Sequence, residues 1–283
     1  MAKQRNSDMA AWILSAPVIT LLVILAILPS IQLLITGFQR ADIAGPTLNN
    51  FEQLVDSKFA VQAFWRTLRV SVLTTVITVL GAYPMLYCLR RAGPRISALL
   101  LAITIFPIMV STVVRAFGWN VILGPSGVIN KSLSSLGLID APLKLIFNEF
   151  AIVVGETHLL FPYMVLALVA VMQKVDPALE EASLSLGANP LVTFMKVTLP
   201  SSYPGLLSGT LLVFSLAMTA FATPLLLGGA RAPLLTTLLY SYAYTLYDWN
   251  RAAAVALILV AMAMAFYFLQ RFISNIQMRS YGK

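Results

Sequence analysis

Hydrophobic and polar positions are segregated on a long scale in this chain, with apolar runs of roughly 20 residues alternating with polar connections. Six runs stand out, at 11–36, 67–89, 97–122, 150–172, 205–227 and 252–270. A bilayer core about 30 Å thick takes roughly 20 apolar residues of helix, so each run predicts a spanning helix. None shows the two-residue alternation of a barrel strand. The expected class is an all-α membrane protein with six transmembrane helices.

Nearly every run holds a proline: Pro17 and Pro29, Pro84, Pro107, Pro162 and Pro224. Proline removes a backbone donor and kinks a helix, and membranes tolerate this where neighbours or a water-filled cavity satisfy the freed carbonyl. The pattern suits a protein that encloses a path. The connections at 37–66, 124–149 and 228–250 are long and rich in turn residues. The third carries Tyr240, Tyr242, Tyr244, Tyr247 and Trp249, which read as an interfacial aromatic belt or as a contact for an external partner.

One connection differs. From 173 to 203 the chain is polar and shows two helix starts, Asp176-Pro177 and Asn189-Pro190, each a capping side chain followed by proline at the first helical position. The first helix is expected over 177–186, with Leu179, Ala182 and Leu186 on one stripe and Glu180 and Glu181 facing elsewhere. Gly187 then supplies a left-handed cap. The second is expected over 190–197, stopped by Leu199-Pro200 ahead of the fifth span. The expected organisation is a tail, first helix and outer loop at 1–62, a five-helix core at 63–272 holding the 173–203 insert, and a cytoplasmic tail at 273–283.

Composition agrees: 59% of residues are hydrophobic and 11% charged, more apolar surface than a soluble domain of this length can hide. The net charge of +8 is scattered, without a basic run interleaved with aromatics, which excludes a nucleic-acid surface and suits anionic lipid headgroups. Arg90, Arg91 and Arg95 crowd one short connection, which marks it as cytoplasmic and, with six spans, places both termini there too. Lys3 and Arg5 precede a run too long for a cleaved signal, so an uncleaved signal anchor is expected. Cys88 is the single cysteine, which excludes a disulfide within the chain and a cysteine-based metal site.

The insert carries a spaced pattern: Glu181-Ala182-Ser183, three residues, Gly187, nine residues, Val197, one residue, Leu199-Pro200. This resembles the EAA loop of ATP-binding-cassette importer permeases, with Ser183 in place of the second alanine and Val197 in place of isoleucine. The resemblance extends over roughly 64–271, through Arg115-Ala-Phe-Gly-Trp119, Gly127-Val-Ile-Asn130, Phe161-Pro-Tyr-Met164, Leu186-Gly187-Ala188 and Pro224 to Gly229, to the polyamine-type permeases of the spermidine/putrescine group.

Several expectations come from this resemblance. The fold is that of type I importer permeases in a bacterial inner membrane. Glu181, Ala182, Ser183, Gly187, Leu199 and Pro200 mark a coupling element seated in a cytoplasmic ATPase dimer. A second homologous permease completes the pair as a heterodimer, and a periplasmic solute-binding protein delivers the substrate. ATP and magnesium belong to the partner ATPase; this chain has no phosphate-binding loop, needs no cofactor of its own and is not an enzyme. The family also includes permeases for other small ions and organophosphonates.

Charged groups in or near predicted spans are Arg115, Glu156 and His158. An acid or arginine at the centre of a spanning helix costs about 2.5–3.5 kcal/mol on insertion scales, so they are expected to face protein or water. Glu156 is read either as an anionic group lining a path for cations or as a packing partner of Arg115. His158, two residues on, faces another side and reads as structural. Arg115 is expected to snorkel outward. Tyr163 joins the path candidates because cations favour aromatic faces. A self-contained proton-coupled carrier using Glu156 and His158 as a relay remains the alternative from another class; a membrane enzyme finds no catalytic constellation.

Overall fold

The computed structural model describes residues 2–39 and 45–281, with side chains from 15 onward as far as 274. The charges of Lys3 and Arg5 and most of the tail at 273–283 therefore lie outside the described side chains. The described backbone is helical throughout, with loops between. It divides into two compact units, one of residues 1–57 and 239–258, the other of 58–238 and 259–283.

In the first unit, α1 (Ala2–Gly37) carries an apolar stretch that is exposed at every position over 16–32, as suits a helix solvated by lipid. It ends against the start of α12 (Trp249–Tyr281), where Gly37 packs so closely that a Cβ there would lie 2.6 Å from Leu257 Cδ1. Polar caps finish the junction. Asn50, on the short helix α2 (Asn49–Asp56), donates to the carbonyls of Gly37 and Gln39 at 2.9 Å, and Asn250 donates to Gln39 O at 2.8 Å. α2 lies in what the pattern predicts to be loop; it is too short and polar to register as a span. Of the aromatic cluster, Tyr242 is buried while Tyr244, Tyr247 and Trp249 are exposed.

The second unit is built on α3 (Lys58–Arg91), α7 (Glu149–Met172) and α10 (Leu199–Thr219). Between lipid-solvated helices there is little hydrophobic drive, so association depends on close packing of small residues. α3 presents Thr67, Ser71, Thr74, Thr78 and Ala82, all buried and at helical spacing. Several of these hydroxyls bond to their own helix, as Thr67 does to Ala63 O at 2.8 Å and Thr75 to Ser71 O at 2.7 Å. On α10, Gly205 and Gly209 stand four apart, and a Cβ on Gly205 would lie 2.9 Å from Ala167 O and 3.2 Å from Leu168 Cα of α7. Leu86, Leu160, Met164, Leu168, Val213 and Ala217 form a buried apolar cluster between these helices. The second half of α12 joins through Phe266 stacked on Phe214 and through Gln270, which donates to Leu207 O and Thr210 Oγ1.

Two predicted spans come out differently. The run at 97–122 is not one rod: α4 (Pro94–Met109) and α5 (Thr112–Leu123) meet at a bend of 101° over the extended residues Val110 and Ser111. Pro107 lacks a donor near that end, and Arg115, expected to snorkel, instead turns inward to bond the carbonyls of Pro107 and Val110 and the hydroxyl of Thr112. A short helix, α6 (Val128–Ser135), follows outside. The run at 205–227 also breaks: α10 ends at Thr219, and Pro224–Gly228 forms a separate wide turn. Among the described residues, five helices are long and apolar enough to cross, six if the bent pair is one span.

The end of the bundle where α7 begins is stapled by charge. Glu149, at the start of α7, accepts from Arg66 at 3.0 Å and from Arg69 at 3.2 Å, both on α3, while Arg66 also donates to Pro233 O at 3.1 Å. α3 thus begins well before the predicted run, its arginines neutralised by an acid across the interface.

Candidate functional site

Two sets of residues matter, one in the polar insert and one among the spans. In the insert, α8 (Ala178–Ser185) begins where the sequence pattern places a helix start, with Asp176 Oδ1 accepting from Ala178 N at 2.9 Å. Its end is a paired cap: Gly187 N bonds Leu184 O at 3.0 Å and Ala188 N bonds Ser183 O at 3.2 Å, with Gly187 at φ +86°, the left-handed region that a Cβ disfavours. α9 (Pro190–Thr193) starts at Asn189, whose side chain accepts from Val192 N at 2.8 Å.

The expected stop at Leu199-Pro200 does not occur. A π turn at Phe194–Thr198 carries α9 straight into α10, and Pro200 sits in its first turn. The wider turn makes room for the ring and needs no donor from it. The insert is thus one separate helix, α8, folded back on the extended N-terminal part of α10.

α8 is exposed along its length. Leu179 and Ala182 are exposed, and Leu186 just past its end is 88% exposed, as are Leu191 at 67% and Met195 beyond the turn. Leu186, Leu191 and Met195 together leave an open apolar rim on an otherwise polar hairpin. Glu181 is exposed too, whereas Ser183 is half-buried, its hydroxyl 3.0 Å from that of Thr193, which ties α8 to α9. Leu199 and Pro200 are half-buried at the base of α10.

Sequence spacing singled out Glu181, but the carboxylate that anchors α8 is its neighbour. Glu180 Oε1 accepts from Thr198 Oγ1 at 2.8 Å and pairs with Arg90 Nε at 3.3 Å. Arg90 lies some ninety residues earlier in the chain, so no local pattern pointed to it. The Gly205-x-x-x-Gly209 spacing, by contrast, was present in the sequence as a signal of close helix packing and was passed over.

Among the spans, Glu156 is 1% exposed and neither of its carboxylate oxygens has a hydrogen-bond partner; Thr223 lies beside it. Arg115 does not pair with it directly, since its guanidinium is spent on the α4–α5 break, yet it stays within electrostatic reach of Glu156, His158 and Tyr163. Arg115 thus lies near both Glu156 and His158, with Tyr163 further along α7. His158 is exposed on another face of α7, as its spacing predicts, and accepts from Trp119 Nε1 at 3.2 Å on Nδ1. Both line a cavity of about 550 Å³ with Phe150, Phe161, Thr104 and Thr157. Tyr163 packs against the inner core instead.

A bundle of spanning helices with a capped, outward-facing knuckle on one side and polar groups sunk among the spans defines the membrane component of a transport system. The chain belongs to the family described as binding-protein-dependent transport system inner membrane component, which matches residues 54–276. It is accordingly a multi-pass inner-membrane protein.

It is 32% identical over 240 residues to the spermidine/putrescine transport system permease protein PotB of Haemophilus influenzae, covering 83% of this chain and 84% of that one. The PotB protein of Escherichia coli is 30% identical, covering 83% and 87%. In three dimensions the chain matches a chain of a bacterial alginate ABC transporter in complex with an alginate pentasaccharide-bound periplasmic protein, with TM-score 0.82 and 19% identity over 97% of this chain and 96% of that one. The fold is that of ABC importer permeases, as the resemblance implied.

Proposed function

We propose that this chain is the transmembrane permease subunit of an ATP-driven importer that moves a polyamine such as spermidine or putrescine, delivered by a periplasmic binding protein. The observation that carries the reading is the exposed, end-capped α8, whose open leucines present a rigid apolar knuckle to a cytoplasmic partner. Residues 63–272 form the working core. Glu181, Ala182, Ser183 and Gly187 seat the knuckle in an ABC ATPase dimer, and Leu199 and Pro200 begin the span that it moves. ATP and magnesium bind that partner, and this chain is a non-catalytic subunit paired with a second homologous permease. Both termini lie on the cytoplasmic side, with the arginine-dense turn at 90–95.

The names of the relatives support the substrate class, and the chemistry around α7 suits it. Glu156 is a buried carboxylate on α7, and the cavity on another face of that helix offers the aromatic faces of Trp119, Phe150 and Phe161, where an alkyl ammonium gains about 0.5–2 kcal/mol per face. Arg115, His158 and Tyr163 set the local field.

Proteoliposomes holding this chain, its permease partner and the ATPase test the reading. Labelled spermidine is expected to enter only with ATP and the loaded binding protein. Uptake driven by a proton gradient without ATP would overturn it in favour of a self-contained carrier, and uptake of a different small ion or an organophosphonate would replace the substrate while keeping the mechanism.

A further inference from the structure

We infer that Glu180 is the positioning residue through which the coupling hairpin moves the helix bundle, acting by way of Arg90 and Thr198. This rests on the coupling reading above and goes beyond it, since the spacing pattern assigns that role to Glu181.

The argument begins with what α8 touches. Every residue of α8 is at least partly exposed, so the hairpin has no apolar core to transmit force. Its ties are polar. Ser183 reaches Thr193 within the hairpin itself. Glu180 reaches out of it, with a side chain only 18% exposed.

One carboxylate oxygen meets two elements directly and a third through its arginine partner. Thr198 Oγ1 donates to it at 2.8 Å from the π turn that leads into α10. Arg90 Nε meets it at 3.3 Å from the last turn of α3. The same guanidinium donates through Nη1 to Met172 O at 2.9 Å, the last residue of α7. α3, α7 and α10 are the spans that form the core, and their inner ends converge on this one group.

Tyr83 adds stiffness beside it, its hydroxyl 3.0 Å from Ser202 Oγ and its ring edge-on to Phe194 at 5.5 Å. A planar guanidinium holding a carboxylate and a helix-end carbonyl together resists bending in a way that one flexible contact does not. A push on α8 therefore reaches the spans as a displacement of Arg90 and Thr198.

A brace that merely stabilised the fold would lower the amount of assembled complex, or lower transport and ATP hydrolysis together. A positioning role changes their ratio. The complete reconstituted transporter is therefore assayed for substrate moved per ATP hydrolysed, with Glu180→Gln, Arg90→Gln and the exchange Arg90→Glu with Glu180→Arg. Leu186→Cys crosslinking to the ATPase runs in parallel.

Each neutralised variant is expected to keep its ATPase activity and its crosslink while transport per ATP falls about ten-fold, the size of a typical coupling between sites. The charge exchange is expected to recover most of it. Thr198→Val, which deletes one hydroxyl and leaves the ion pair, covers the case of a variant that fails to assemble, with an expected fall of about three-fold. An unchanged ratio in the neutralised variants with the crosslink intact overturns this inference alone. Absence of the Leu186→Cys crosslink in the otherwise unaltered complex overturns the coupling reading itself, and this inference with it.

Discussion

Replacing Glu156 by leucine separates the energetic cost of the buried carboxylate from its use. Insertion scales set an acid at the centre of a span at about +2.5 to +3.5 kcal/mol and leucine at about −0.3 to −0.6, a difference of roughly 3–4 kcal/mol. The surroundings offer little to offset that cost. Neither oxygen has a donor, and the nearby guanidinium of Arg115 is committed to Pro107, Val110 and Thr112. Leucine is somewhat bulkier than glutamate, so repacking at this buried site and the loss of a polar neighbour for Thr223 together cost about 1–2 kcal/mol. The net expectation is stabilisation by about 2 kcal/mol, read as a higher unfolding temperature of the assembled permease in nanodiscs. ATP-driven uptake of a cationic substrate is expected to fall about ten-fold or more, since roughly 1.4 kcal/mol of lost attraction already gives that factor. Glu156→Gln keeps the shape and should show the same loss of uptake with a smaller gain in stability. Destabilisation by Glu156→Leu would refute the reasoning and restore the reading of Glu156 as a packing partner of Arg115. Unchanged uptake would remove the residue from the path.

The remaining expectations concern backbone. Gly187→Ala places a side chain at φ +86° where a Cβ meets nothing within 4 Å, so the cost is purely conformational. It should be about 1–2 kcal/mol, and less for Gly187→Asn, visible as faster hydrogen exchange across α8; equal exchange in all three proteins would refute it. Gly187→Pro, with φ locked near −65°, is expected to insert normally yet uncouple transport from ATP hydrolysis, and normal uptake would count against the assignment. Gly205→Ala drives a Cβ against backbone atoms of α7 and should destabilise by about 1–3 kcal/mol, more than Gly209→Ala, whose nearest neighbour is the flexible sulfur of Met164 at 2.7 Å. The reverse order in thermal unfolding would refute the packing account. Arg115→Met frees two carbonyls at the α4–α5 break, so spin labels on the exposed positions Leu99 and Val121 should move apart; an unchanged distance would assign the bend to Pro107, Val110 and Ser111 alone.

What the sequence made legible was local chemistry. Asp176, Asn189 and Gly187 each act within three residues of themselves, through a cap or a left-handed turn, so their positions could be read without knowing any neighbour. The spans were legible because lipid selects on composition over a long window. The same insensitivity hid the break at Val110 and Ser111, since the residues before and after it are equally apolar and a lipid solvent does not mark a bend. Arg115 was misjudged for a related reason: snorkelling is the default for an arginine near a span end, and the acceptors that hold it inward exist only once the helix has broken. Glu180 was overlooked beside Glu181 because its partner Arg90 is distant in sequence.

The distribution of strong and weak contacts in the second unit also bears on how such a bundle moves. Where α7 begins, Glu149 joins it to Arg66 and Arg69 of α3; where α7 ends, Arg90 of α3 holds Met172 O. α3 and α7 are therefore tied by charge at both ends and respond to a displacement as one body. Between those ties the interface is made of threonine, serine and alanine on α3, whose hydroxyls mostly bond their own helix. α10 meets α7 across Gly205 and Gly209, a smooth contact with no side-chain hydrogen bond needed to keep it. Small residues let helices approach closely and also slide, because few interlocking side chains must change rotamer when they do. A push delivered at Thr198 and Arg90 would thus meet one stiff pair, α3 with α7, and a face along α10 that is smooth against α7 and tied to α3 by the Tyr83–Ser202 hydrogen bond, so shear of α10 against the pair strains that bond first.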